Sequence, residues 1–170
     1  MDKEKLLQGL KVALQTELNG IQFYRIAAEK TIDKKGKEVF TLLAKDEELH
    51  FKEIQRQLSS LTNSNALNPA ITLTEAQTLF KGENPIFSDD LKNRIKERHF
   101  EMSALSIGAL LESNSIDFYR RIKEETDDPH AKQLFDSLQK WEQKHLEAIT
   151  KQMDVLKEDY WAEQQFAPLF

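Results

Sequence analysis

The sequence predicts an all-α protein, an antiparallel four-helix bundle in which a long crossover joins two helix hairpins. Four segments repeat apolar residues at spacings of three and four, which is the period of an amphipathic helix. Glycine (5) and proline (4) are scarce among the 170 residues, and this favours long helices over a turn-rich β fold. A stretch dense in Asn, Ser, Thr and Pro separates the second segment from the third and indicates a long connection.

The first two segments form the first predicted hairpin. The first helix runs from about Lys3 to Lys30, and the second begins after Asp33, a residue type that favours the N-cap position. The second helix continues to about Leu61. The short turn between them makes the two helices antiparallel neighbours. Their apolar stripes contain Leu7, Leu10, Leu14, Ile21, Tyr24 and Ala28 in the first helix, and Phe40, Leu43 and Ile54 in the second.

The crossover covers about residues 60–87, with a short helix predicted at Thr74 to Phe80. The third helix is predicted to begin near Ser88, where Ser-Asp-Asp supplies an N-cap and acids for the first turn. It ends at about Glu125.

The fourth helix begins at Asp128-Pro129, a cap residue followed by proline at the first helical position. It is predicted to end at about Glu158, so residues 1–158 form one bundle domain and residues 159–170 an aromatic tail. Two short-turn hairpins joined by one long connection match the ferritin-like variant of the four-helix bundle.

Composition excludes several classes of function. The net charge of −5 is mild, and the basic surface of a nucleic-acid-binding protein is missing. With no cysteine, thiolate zinc sites, iron–sulfur clusters and disulfides are excluded. The N-terminus is too charged for a secretory signal, and no window approaches the ~20 apolar residues of a membrane span. We therefore expect a cytoplasmic protein without nucleic-acid or membrane partners.

The two hairpins are related by an internal repeat. A shift of 95 residues places the first hairpin on the second without a gap. This shared register indicates two structurally equivalent halves related by a pseudo-twofold axis. The matched pairs include Glu17 with Glu112, Tyr24 with Tyr119, Asp33 with Asp128, Glu47 with Glu142 and His50 with His145.

The repeat and the helix geometry both distinguish Glu47 from its neighbour Glu48. Glu47 matches a glutamate in the second half, whereas Glu48 matches Gln143. At about 100° per residue, Glu47 and His50 share the apolar stripe of the second helix, and Glu48 points towards solvent. The polar residues that interrupt the apolar stripes of the four helices are Glu17, Glu47, His50, Glu112, Glu142 and His145.

Four carboxylates facing one another in a core would cost several kcal/mol per ion unless they are compensated. No Lys or Arg lies on these stripes near the six positions. Two divalent cations would balance the four carboxylates, with two neutral histidines completing the ligand set. One glutamate from each of two helices and a Glu-x-x-His from each of the others is the pattern of di-iron and di-manganese carboxylate bundles. Oxygen and nitrogen ligands suit both iron and manganese.

Tyr24 and Tyr119 lie seven residues after Glu17 and Glu112, two turns further along the same helix faces. Two roles are open for them. They pack in the core, or they donate hydrogen bonds to ligand carboxylates across the bundle and so act beside the catalytic metals.

The sequence resembles the rubrerythrins of the ferritin-like di-iron carboxylate superfamily over about residues 7–156. The resemblance implies that the six residues of the pattern are iron ligands and that the cofactor is two iron ions, with manganese as the alternative. By the same resemblance Glu47 and Glu142 bridge the two metals. Glu17 and Glu112 are then terminal ligands.

Two departures from the rubrerythrin pattern bear on activity. Rubrerythrins typically carry a rubredoxin-like domain with a four-cysteine iron site, and this chain has no cysteine. They also usually carry an extra glutamate three residues after the third-helix ligand, and Ser115 stands there. The resulting set of four Glu and two His is closer to bacterioferritin-like ferroxidase centres.

The resemblance implies a di-iron oxidoreductase that reduces hydrogen peroxide or dioxygen. Its electrons would come from an external donor, rubredoxin-like or of another kind. Two alternatives are ferroxidase activity with iron storage, and an iron-binding or metal-stabilised module without turnover. We also expect a homodimer, because bundles of this kind commonly pair.

Overall fold

The computed structural model describes residues 3–71, 73 and 95–163. They form four helices, α1 (Lys3–Lys30), α2 (Lys34–Ser64), α3 (Ile95–Glu125) and α4 (Pro129–Glu163). Helices α1 and α2 pack as one hairpin and α3 and α4 as the other, and the described residues contain no strand. The prediction of an all-α four-helix bundle is confirmed.

Helix directions follow from contacts between α1 and α3. The early residue Glu17 of α1 meets the late residue Tyr119 of α3, and the later Tyr24 meets the earlier Glu112. Helix α1 is therefore antiparallel to α3 as well as to α2, so that α2 and α3 run in the same direction. Helix α2 has 31 residues, about 46 Å at 1.5 Å per residue, and consecutive parallel helices of this length require a long connection. This is the ferritin-like order.

Several predicted boundaries can be compared with the structure. Helix α1 has the predicted limits, α2 ends at Ser64 rather than Leu61, and α4 continues to Glu163, beyond the predicted end at Glu158. The predicted helix at residues 74–80 and the predicted start of the third helix at residue 88 lie outside the described residues. None of the helices in the described ranges has a stretch long and apolar enough to cross a membrane.

The two hairpin turns are capped in the same way. The side chain of Asp33 accepts a hydrogen bond from the backbone amide of Gly36 at 2.8 Å, and begins α2. Asp128 accepts from the amides of His130 at 2.8 Å and Ala131 at 2.9 Å, and begins α4. Because these amides have no partner inside the helix, the caps satisfy donors that would otherwise be lost.

Two apolar clusters fill the bundle, and each helix contributes to both. On every helix the metal-ligand candidates lie between the residues of one cluster and those of the other, so the polar side chains form a layer between two dry regions. The largest side chains show the pseudo-twofold relation. Tyr24 stacks on Phe40 with ring centroids 6.3 Å apart, and Tyr119 stacks on Phe135 at 6.0 Å.

Replacing Asp33 by alanine is expected to lower the free energy of unfolding by about 1 kcal/mol, because the Gly36 amide loses its acceptor. Asp33→Asn is the matched control, since asparagine caps helices about as well as aspartate. Chemical denaturation of the metal-free protein measures both. Equal losses in the two variants would show that the charge of Asp33, rather than its cap, carries the effect.

Candidate metal centre

The six candidate ligands meet at the middle of the bundle, and every helix supplies at least one of them. Helices α1 and α3 supply one glutamate each, whereas α2 and α4 supply a Glu-x-x-His each, whose spacing places both side chains on one helix face. All six side chains are buried, as expected for residues on apolar stripes. They are Glu17, Glu47, His50, Glu112, Glu142 and His145.

These side chains form two overlapping groups. In each group one ligand atom from every residue lies within 4.8 Å of the others. Glu47 and Glu142 belong to both groups. The first group adds Glu17 and His50, and we call it the His50 position. The second adds Glu112 and His145 and is called the His145 position.

At the His50 position the imidazole faces three carboxylates. Its Nδ1 atom lies 3.3 Å from Glu17 Oε2, 3.3 Å from Glu47 Oε2 and 3.1 Å from Glu142 Oε1. One nitrogen surrounded by oxygens from three helices leaves a small volume lined with electron-pair donors. Such a volume suits a cation.

The His145 position repeats this arrangement. The Nδ1 atom of His145 lies 3.3 Å from Glu47 Oε1, 3.4 Å from Glu142 Oε2 and 3.7 Å from Glu112 Oε1. The rings of His50 and His145 stack with centroids 5.7 Å apart. The two shared glutamates thus present one oxygen to each position.

Two tyrosines hold the outer carboxylates. Tyr24 donates a hydrogen bond to Glu112 Oε1, and Tyr119 donates one to Glu17 Oε1. Each bond joins α1 to α3, so each tyrosine orients the glutamate of the opposite helix. Of the two roles open for these tyrosines, the structure shows the cross-bundle hydrogen bonds, and both rings also pack in the core.

The carboxyl groups divide into two electrostatic types. Burial, with the charges of Glu142 and Glu47, raises the pKa of Glu17 well above its usual range, and burial with the same two charges raises the pKa of Glu112. Burial alone would also raise the pKa of Glu142, but the charge of His50 and the close approach of both imidazoles hold it well below its usual range. The close approach of both imidazoles likewise lowers the pKa of Glu47 against the effect of burial.

The pKa values of both histidines are raised, although burial alone would lower them. Burial would lower the pKa of His50, but the charge of Glu142 and hydrogen bonds with three carboxylates raise it well above 6.5. The carboxylates of Asp46 and three glutamates that face its ring nitrogens raise the pKa of His145 in the same way, against the effect of burial. Without metal, these raised pKa values favour the protonated forms of the two histidines and of Glu17 and Glu112. Metals must displace these protons.

The residues fit a pair of divalent cations. Glu142 Oε1 and both ring nitrogens of His145 have no hydrogen-bond partner among the described residues, although they are fully buried. A buried polar atom without a partner costs about 1–3 kcal/mol, and coordination would remove that cost. Two divalent charges also balance four carboxylates, and the oxygen and imidazole donors suit iron or manganese.

The other two glutamates of the Glu-x-x-His region lie outside both groups. Glu48 is partly exposed and pairs with Arg25 at 2.7 Å, as its predicted orientation requires. Glu53 is buried, but it accepts hydrogen bonds from Arg56 at 2.6 Å and from Gln57 at 2.8 Å. Gln57 also binds the backbone of Asn68, so Glu53 belongs to a network that holds the start of the crossover.

Three residues beside the centre are not predicted from the sequence. The Asp46 Oδ2 atom lies 3.5 Å from His145 Nε2, and the Trp141 ring centroid lies 5.5 Å from that of His50. A side-chain Cβ at Gly20 would lie 3.3 Å from Glu47 Cγ. The signal for Asp46 is its spacing of three from Leu43, which places it on the buried face of α2. No feature of the α1 sequence indicates that Gly20 lies against Glu47.

A cavity of about 300 Å³ opens between α1 and α3 and reaches the centre. Glu17, Glu47 and Glu112 form its inner wall, and Asn19 and Asn114 contribute to its lining. The other lining residues are Thr16, Gly20, Tyr24, Leu111, Ser115 and Phe118. The cavity offers a route for a small polar molecule to both positions.

The fold and this cluster define a ferritin-like carboxylate bundle with a candidate dinuclear metal site. The sequence profile of the Rubrerythrin family matches residues 9–153, and the chain belongs to this family. The resemblance inferred from the motifs is confirmed. The described residues contain no rubredoxin-like domain. No curated protein and no solved structure matches the chain significantly.

Glu47→Ala is expected to abolish stoichiometric metal binding, because Glu47 belongs to both ligand groups. Glu48→Ala on the same helix turn is the matched control and is expected to retain wild-type metal content. Elemental analysis of both proteins after anaerobic loading with Fe(II) measures the difference. Equal losses would contradict the assignment of Glu47 to the centre.

The stability of the metal-free protein is expected to fall as pH rises above about 6.5, the pKa of histidine in an unfolded chain. The raised pKa values of His50 and His145 stabilise the fold fully below the unfolded value of about 6.5, and this contribution is lost as pH rises through the folded values. The raised carboxyl pKa values of Glu17 and Glu112 act in the same direction.

Since bound metal replaces these protons, the rise in Tm on adding a divalent metal should grow over the same pH interval. Thermal unfolding with and without metal measures both trends. A metal-free Tm that increases with pH would show that the cluster is not balanced by protons.

Proposed function

We propose that the protein is a non-haem di-iron oxidoreductase that reduces hydrogen peroxide or dioxygen with electrons from an external donor. The observation that carries the proposal is the pair of overlapping ligand groups that share Glu47 and Glu142. Glu47 and Glu142 would be common ligands of two cations, and Glu17 with His50 and Glu112 with His145 would each complete one of the two positions. A two-electron reaction on a small oxidant would use both positions.

Each residue has a defined task in the proposed reaction. Glu17 and His50 would hold one iron, Glu112 and His145 the other, and Glu47 and Glu142 both. Two iron ions would supply one electron each, so that hydrogen peroxide with two protons yields two molecules of water. The four buried carboxylates keep the charge of the centre near neutral in this dry core.

The tyrosines keep the outer carboxylates in place during the reaction. Burial and the charge of Glu112 raise the pKa of Tyr24 well above 10, and burial and Glu17 raise that of Tyr119. Both hydroxyl groups therefore remain protonated at physiological pH and continue to donate to their glutamates. Fixed carboxylates in turn limit how far the metal ligands move between redox states.

The cavity between α1 and α3 supports the choice of a small substrate. Its volume of about 300 Å³ admits hydrogen peroxide or dioxygen with accompanying water. Asn19 and Asn114 offer amide groups that hydrogen-bond a peroxide near the entrance.

The proposed reaction requires an external electron donor. The chain has no cysteine and so cannot hold a four-cysteine iron site of its own. We propose a rubredoxin-like or other external donor that docks close enough to reduce the centre between turnovers. The expected homodimer also remains a prediction.

Anaerobic mixing of the Fe(II)-loaded protein with hydrogen peroxide tests the proposal. Stopped-flow absorbance should show oxidation at least tenfold faster than free Fe(II) under the same conditions, with one peroxide consumed per two irons. The Glu47→Ala protein is the control for adventitious iron. A rate equal to that of free Fe(II) would eliminate the oxidoreductase.

Ferroxidase activity is the second candidate, and Ser115 favours it. This residue stands where rubrerythrins usually carry an extra carboxylate, and its hydroxyl donates to the Leu111 carbonyl at 3.1 Å instead of facing a metal. The ligand set then resembles that of a ferroxidase centre. Repeated turnover of added Fe(II) with dioxygen, and no acceleration by peroxide, would favour this reading. Storage also requires a hollow multimer, so a dimer on a sizing column would exclude storage by this protein alone.

Asn19→Phe is expected to slow peroxide-dependent oxidation severalfold while two metals still bind, because the larger ring fills part of the cavity lined by Asn19. Gln22→Phe, on an exposed face of the same helix, is the matched control. Stopped-flow rates and metal content are measured on both. Unchanged rates in Asn19→Phe would show that the oxidant enters elsewhere.

A further inference from the structure

The internal repeat is broken at the residue that precedes each ligand pair. Asp46 precedes Glu47 on α2, and the matched residue before Glu142 on α4 is Trp141. Both side chains are buried, and each lies against the histidine of the other hairpin. The two metal positions therefore have different surroundings, although their six ligands are matched.

At the His145 position a carboxylate stands behind the histidine. Asp46 Oδ2 lies 3.5 Å from His145 Nε2, and neither atom has a hydrogen-bond partner among the described residues. The Nδ1 atom of the same ring faces Glu47, at 3.3 Å. A small rotation would let Nε2–H donate to Asp46. This bond fixes the tautomer that leaves the Nδ1 lone pair for a metal.

At the His50 position an indole ring takes the matched place. Trp141 meets His50 edge to face, with centroids 5.5 Å apart and an interplanar angle of 66°. The indole N–H group can only donate a hydrogen bond, so Trp141 cannot accept one from the imidazole. Packing against Trp141 orients the His50 imidazole, but Trp141 carries no charge that would make His50 a stronger metal ligand.

We propose that the two metal positions are inequivalent, and that the His145 position binds a divalent metal more tightly because Asp46 positions His145. The inference rests on the proposed dinuclear site and adds an order of filling to it. Loss of a carboxylate behind a metal-bound histidine typically lowers affinity about 10–100-fold. Asp46 is thus a positioning residue, and the first metal enters at Glu112 and His145.

Titration of the metal-free protein with Co(II), followed by visible absorption and calorimetry, tests the order. Wild type should bind in two steps whose dissociation constants differ at least about tenfold. His145→Gln should remove the tight step, whereas His50→Gln should retain it. The opposite pattern, or two equal steps in wild type, would overturn the inference and leave the dinuclear site intact. Failure to bind any Co(II) would overturn the site itself.

A second set of variants tests the two positioning residues. Asp46→Asn keeps the shape of the side chain and should weaken the tight step about tenfold or more. Asp117→Asn, an exposed residue paired with Arg120, is the matched control. Trp141→Asp should strengthen the weak step, and Trp141→Phe should leave it unchanged. An unchanged tight step in folded Asp46→Asn protein would overturn the role of Asp46.

Discussion

The structure depends on the neutralisation of four carboxylates that are buried together. Among the described residues, the ion pairs of Glu17, Glu47, Glu112 and Glu142 are formed with histidines alone. Two histidines cannot balance four negative charges, so the cluster must hold either protons or metal ions. The apolar clusters on both sides strengthen this requirement, because they limit the water that would otherwise screen the charges.

The pseudo-twofold repeat explains how the four carboxylates and two histidines are brought together. Each hairpin supplies one outer glutamate, one shared glutamate and one histidine, and the halves are joined by reciprocal bonds from Tyr24 and Tyr119. A centre assembled in this way has two matched positions with common ligands. Departures from the repeat, such as Asp46 beside His145 and Trp141 beside His50, then give the two matched positions different surroundings.

The family and the centre constrain the chemistry more closely than the fold does. The bundle of this Rubrerythrin-family chain brings together two overlapping groups of candidate metal ligands, and the chain has no cysteine for a four-cysteine iron site. Ser115 also removes the extra carboxylate that such centres usually carry, which leaves four Glu and two His. This ligand set is compatible with both of the proposed activities, peroxide reduction and ferroxidation, and it does not by itself select one of them.

The sequence by itself determined the helices, their order and the six candidate ligands. Apolar periodicity identified α1 with its observed limits, and the repeat selected Glu47 over Glu48 because only a matched residue can occupy equivalent places in both halves. Apolar periodicity and the internal repeat are both properties of the linear sequence, so they can be identified without knowing how the helices pack.

Only the tertiary structure determined which polar residues besides the six candidate ligands are buried. Asp46 and Glu53 belong to residue types that usually face solvent. Nevertheless, His145 of α4 lies against Asp46, and Glu53 is held by Arg56 and Gln57 at the start of the crossover. Gly20 matters because α2 brings Glu47 within contact of it. Such contacts depend on the distance and rotation between helices. Those quantities arise from packing across the bundle, and no single segment encodes them.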